Sequence, residues 1–157
     1  MPSYVKWTLP VVDDAIPATS LAGLASGTAA ANHALGPAID NRPDTFGHLY
    51  ATLEINLSAA VTAAASTSPF INVWLIPSFD GTNYGTTNGG TTAGPTQPGY
   101  FGGIITPPPG VGAKVMHVAL VLPPTWFKVM INNQLGIAFP TGTGNACKIY
   151  RHGEQGT

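Results

Sequence analysis

The residues best able to do chemistry here are four histidines, one cysteine and a handful of acids, and their spacing limits what they can do. His33, His48, His117 and His152 match no zinc-ligand spacing, and Cys147 has no second thiol to join them. His117 falls in an apolar run, where a hydrogen-bonded structural histidine is expected. Neighbouring acids could share acid–base work, but Asp13-Asp14 stand in an extended stretch, and Asp40 and Asp44 flank Arg42-Pro43. Aspartates in such places form turns by bonding nearby backbone. Glu54, on the polar face of a strand, is expected to be solvated or paired at an interface. The stretch Asp80-Gly-Thr-Asn-Tyr84 lacks the spaced acids and closing Glu of an EF-type calcium loop. No Gly-x-Ser-x-Gly is present, and the glycines of 85–90 precede no helix, so neither a nucleophile elbow nor a phosphate cradle is expected. Cys147 reads as a small buried hydrophobe on a late strand. The reading assigns no catalytic residue, no metal ligand and no cofactor.

What remains is the surface. Only 8% of the 157 residues are charged, 6 basic and 7 acidic, against about 25% in an ordinary globular chain. Like-charged coats keep proteins apart. A chain with so thin a coat either has much of its surface covered by partners or stays in solution through Thr, Asn and Ser. With a net charge of −1 and no Lys/Arg run, the chain lacks the basic stripe that phosphate neutralisation needs, so no nucleic acid is expected as partner. A polybasic membrane anchor is excluded on the same ground, no membrane-spanning stretch is visible, and residues 1–7 lack the apolar core of a signal peptide. Large aromatics outside strands are the best interface candidates: Trp7 in an N-terminal arm and Tyr84 in a loop taken to be exposed.

The elements that must carry these residues are strands. Gly and Pro, 19 and 15 residues, punctuate short apolar runs at β-sandwich spacing. Residues 47–57 alternate apolar and polar, the signature of a half-buried antiparallel strand. Residues 70–76 are apolar on both faces and read as a central strand. Further strands are expected at 100–105, 114–122, 126–131, 135–139 and 146–151, with one or two more near 29–35 and 38–41. The alanines of 58–68 allow a short helix, and Thr62, Thr67 and Pro69 oppose a long one. The long Gly/Thr-rich stretch before Tyr100 reads as a loop of functional length. The expectation is an all-β fold of about eight strands, an antiparallel β-sandwich or jelly roll over residues 17–157, preceded by an extended arm over 1–16.

Three stretches carry a resemblance: Phe70-Ile-Asn-Val-Trp-Leu-Ile-Pro-Ser-Phe-Asp-Gly-Thr-Asn-Tyr84, Leu122-Pro-Pro-Thr-Trp-Phe-Lys-Val-Met-Ile-Asn132 and Tyr150-Arg-His-Gly-Glu-Gln155. In this order, over about residues 49 to 155, the chain resembles a group of small structural proteins of tailed-bacteriophage virions. The resemblance implies a capsid decoration or cement protein, made in the host cytoplasm and resident in the virion. It would bind the outside of the shell, with the major capsid protein and further copies of itself, as a dimer or trimer, for partners. It also implies that arm and tail meet neighbours, which adds Tyr150 and Arg151 to the interface candidates. Two other readings stand beside it: a tail or neck protein of the same particle, and a carbohydrate-binding sandwich, which would need a planar row of exposed aromatics.

Overall fold

The computed structural model describes residues 6–7, 9–27, 32–42, 48–61, 68–84, 100–108, 112–142 and 144–155. These form ten strands and one short helix: β1 (Lys6–Trp7), β2 (Val11–Ile16), α1 (Ala18–Leu21), β3 (His33–Asp40), β4 (Tyr50–Val61), β5 (Phe70–Ser78), β6 (Tyr100–Ile105), β7 (Gly112–Val121), β8 (Trp126–Gln134), β9 (Ala146–His152) and β10 (Glu154–Gln155).

Antiparallel pairs join β1 to β10, β2 to β9, β3 to β8, β4 to β7 and β5 to β6. Each strand thus meets the one at the mirrored place in the chain, as in one long hairpin with its tip at β5–β6. Two further pairings, β4 with β9 and β5 with β8, roll that hairpin into two sheets of order β2-β9-β4-β7 and β3-β8-β5-β6. This is the winding of a jelly roll, the more specific form of the expected sandwich. We call the first the front sheet and the second the back sheet.

Period-two alternation directs the inner faces. Ala51, Leu53, Ile55 and Leu57 of β4 and Cys147 and Ile149 of β9 face Ile71, Val73 and Leu75 of β5 and Phe127, Val129 and Ile131 of β8 in one buried cluster. Burial holds the Cys147 thiol far above its ordinary range, so it is a neutral core group, as its place in the sequence suggests.

Buried asparagines close the ends of the sandwich. Asn133 donates from Nδ2 to the Leu24 and Ile137 carbonyls at 3.0 and 2.9 Å and accepts the Leu135 amide on Oδ1 at 3.0 Å. Asn41 holds the His48 amide and carbonyl at 2.9 and 2.8 Å and the Pro123 carbonyl at 2.9 Å. Asn145 holds the Pro140 carbonyl at 2.7 Å and the Ser58 amide at 3.3 Å. An amide offers both donors and acceptors without a charge, so these links need no counter-ion inside.

Two expectations are corrected. Residues 135–139 form no strand: Asn133 takes the Leu135 amide and the Ile137 carbonyl, Ser26 Oγ accepts the Gly136 amide and the Leu24 carbonyl the Phe139 amide, and the segment plugs one end of the core with Leu135 and Phe139, both buried. In the stretch expected as an arm, residues 11–16 are not separate from the domain. β2 is an edge strand of the front sheet, with Ala15 and Ile16 fully buried. Of the one or two strands expected near 29–35 and 38–41, residues 33–40 form one, β3. Its register shifts between Leu35 and Ala38, where Pro37 has no amide to give; an edge strand tolerates this. The expected strand near residue 29 begins outside the described residues. β4 continues to Val61, so the first residues of the stretch that allowed a short helix are strand instead.

Candidate interaction surfaces

On the front sheet, registers bring residues far apart in sequence into rows across the outer face. Asp14 of β2 pairs with Lys148 of β9, Lys148 with Glu54 of β4, and Glu54 with His117 of β7. One row therefore reads acid, base, acid, imidazole. Within it, His117 Nε2 lies 3.1 Å from Glu54 Oε2, and the Tyr150 hydroxyl reaches Glu54 Oε1 at 3.4 Å. The row beside it is Val12, Tyr150, Thr52 and Ala119, and the next is His152, Tyr50 and Val121. Val12, Tyr50, Val115 and Val121 are large apolar groups left in solvent on this face. Glu54 is thus paired within its own chain.

The back sheet carries a second small core on its outer side. Ile76, Met130 and Tyr84 are buried together, with Leu35, Trp74 and Trp126 packed around them. The turn that brings Tyr84 there is set by Asp80. Its carboxylate accepts the amides of Asn83 at 2.7 Å and Thr82 at 2.8 Å, and the Ser78 hydroxyl at 2.8 Å. These donors hold its pKa well below the usual carboxylate range. Gly81 supplies the left-handed φ of +72° that the turn needs, beneath the Trp126 ring. Tyr84, expected to be exposed, is 7% accessible, and Lys128 Nζ stands 4.3 Å from its ring centroid. A large ring beside an apolar sheet face is buried by that face, whatever the polarity of its neighbours in sequence.

Beyond that small core, β6 is the last strand of the back sheet among the described residues. Tyr100, Phe101 and Ile104 are 64%, 51% and 54% exposed, and Phe101 meets Trp74 edge to face at 4.9 Å. Gly102 and Gly103 let this strand lie close over Leu120 and Val118 of β7. Phe79, at the other end of β5, is almost wholly exposed.

The remaining candidates separate. Trp7 lies in β1 with its backbone opposite Glu154. Tyr150 is on the outer front face. Arg151 points the other way and is only 11% exposed: Nε donates to Asp13 Oδ2 at 2.9 Å and a terminal nitrogen to the Asp40 carbonyl at 2.8 Å. It ties β2, β9 and the end of β3 together and so serves the fold. Tyr84, Tyr150 and Arg151 therefore form no single site. Sequence reading counts Tyr100 and Phe101 among the aromatics able to stack on a partner without singling them out, and it misses Ile104, although an apolar strand containing two adjacent glycines is a legible sign of an edge.

Among the described residues, no group of three His, Cys, Asp or Glu side chains is placed to hold a metal ion, and no helix is long and apolar enough to cross a membrane. No protein-family model matches the chain, and no curated protein or solved structure matches it either.

Proposed function

We propose that this protein is a structural subunit that works by attaching to other protein surfaces, and that its setting is the outside of a phage shell, as a capsid decoration protein. The observation that carries the attachment is β6: three large apolar side chains stand more than half exposed along one six-residue edge strand. Exposed apolar patches of this kind mark protein contacts. The shell itself enters through the sequence resemblance, whose first and second stretches form β5 with its turn and β8. Those strands build the platform on which β6 lies. Covering the exposed halves of Tyr100, Phe101 and Ile104 would contribute about 3 kcal/mol per copy. That is modest for one contact and sufficient when many copies bind a regular lattice.

The sugar-binding reading gains no support from the front face. Tyr50 is exposed there, but Tyr150 is half-buried with its hydroxyl on Glu54, so no planar row of open rings is formed.

The test is co-sedimentation with shells assembled from the major capsid protein, comparing the native chain with the double variant Phe101→Ser, Ile104→Ser. Native protein is expected to pellet with shells, and the variant to bind about 100-fold more weakly. Equal binding by the variant would remove β6 from the account, and failure of the native chain to bind would remove the shell.

A further inference from the structure

We propose that the outer face of the front sheet is a self-association surface, which seats a second copy of this chain about a two-fold axis running along the strands midway between β9 and β4. The observation is the order of charges in the row Asp14, Lys148, Glu54, His117. Reversed upon itself, the row sets each acid opposite either the lysine or the imidazole. An axis parallel to the strands reverses the row on the partner. It sets Lys148 over the partner's Glu54, and Asp14 over the partner's His117, twice each. An axis along the row would set every group over its own copy, like on like, so the charges select one orientation of the two available to facing sheets. An isologous interface requires such self-complementarity.

The rows beside it agree. Under the same axis Val12 faces the partner's Ala119, Tyr150 faces its Thr52, and His152 faces its Tyr50. No like charges meet in them. Facing sheets pack about 10 Å apart, a gap that a lysine and a glutamate side chain span together. Apolar Val12, Tyr50 and Val121, open to solvent in the single chain, would supply the attraction, and the charge row the register. Among the described residues the ion pairs are Arg42–Asp40, His117–Glu54 and Arg151–Asp13. Lys148 and Asp14 enter none of them and stand available to a partner. This surface lies on the opposite sheet from β6, so self-association and shell attachment can occur together.

The experiment is sedimentation equilibrium of the full chain over a concentration series, with no shells present, so its outcome is independent of the shell-binding test. The native chain is expected to dimerise. Lys148→Glu and Glu54→Lys, each checked for folding by circular dichroism, should each weaken the dimer at least tenfold, because each sets like charges together across the axis. An equimolar mixture of the two should dimerise again, since the reversed residues then face each other between chains. The exchange within one chain cannot produce that rescue. Should either variant fail to fold, the exposed-site double variant Val12→Cys, Ala119→Cys, treated with a short bismaleimide, reports the same geometry as a covalent dimer. Cys147 is buried, and the two sites stand three strands apart within one chain. A native chain that stays monomeric, a mixture that does not recover, or absence of the linked dimer would overturn the proposal.

Discussion

Placing a methyl group on Gly36 is predicted to damage the fold out of proportion to its size. A Cβ at Gly36 would collide with the carbonyl oxygen of Ala15 and lie 2.8 Å from its carbonyl carbon, with the Val129 carbonyl oxygen at 3.4 Å on another side. Carbon atoms in ordinary contact lie about 3.5–4.0 Å apart, so β2 must move away by about 1 Å. Such overpacking costs about 1–3 kcal/mol. The displaced strand also strains the Arg151–Asp13 link at 2.9 Å and loosens buried Ala15 and Ile16. Alanine recovers about 0.5–1 kcal/mol by restricting the unfolded chain. The net expectation for Gly36→Ala is a loss of about 1–2 kcal/mol, read in urea as a midpoint lowered by about 0.5–1 M. Gly142→Ala is the control, since its Cβ would meet only the Ser58 hydroxyl at 3.8 Å; it should stay within about 0.5 kcal/mol of native. If Gly36→Ala behaves like the control, β2 is not seated on β3, and the N-terminal stretch is the separable arm that its sequence suggests.

Three further outcomes are expected. Asn133→Ala should cost about 3 kcal/mol in urea unfolding, because it strips partners from three backbone groups of Leu24, Leu135 and Ile137 at the core's end; a loss under 1 kcal/mol would contradict the role given to that side chain. Stability should fall as pH drops below about 6.5, since burial lowers the pKa of both His33 and His48, and at His48 Arg151 adds to the effect. The unfolded chain then binds protons that the folded chain resists, so unfolding gains free energy as pH falls through the lowered folded values. Urea midpoints at pH 7.5 and 5.5 check this, and equal midpoints would refute it. Cys147 should resist thiol reagents in the native chain and react on unfolding, so its labelling rate in rising urea should track the unfolding transition; fast labelling without denaturant would contradict its burial.

Strands with one wet face were legible in the sequence because alternation reports burial directly, as Ala51, Leu53, Ile55 and Leu57 do in β4. Alternation alone misled at Leu135, Ile137 and Phe139. Leu135 and Phe139 are buried and Ile137 partly so, as in a strand, but the backbone groups go to Asn133, Ser26 and Leu24, and no local pattern announces that. β2 was hidden differently. Its register shifts between Asp14 and Ile16, which breaks the period, and two prolines flank it. Tyr84 was misplaced because its polar neighbours describe a loop, whereas the apolar face it covers is built by β5 and β8. The charge row could not be seen at all in the sequence: positions 14, 54, 117 and 148 become neighbours only through the registers of four strands.

The most direct test of the central claim is the copy number of this protein in purified particles, measured against the major capsid protein by quantitative mass spectrometry. The decoration account predicts a count comparable with that of the shell subunits. A few copies per particle would contradict it in favour of the tail or neck, and absence from the particle would contradict the virion setting altogether.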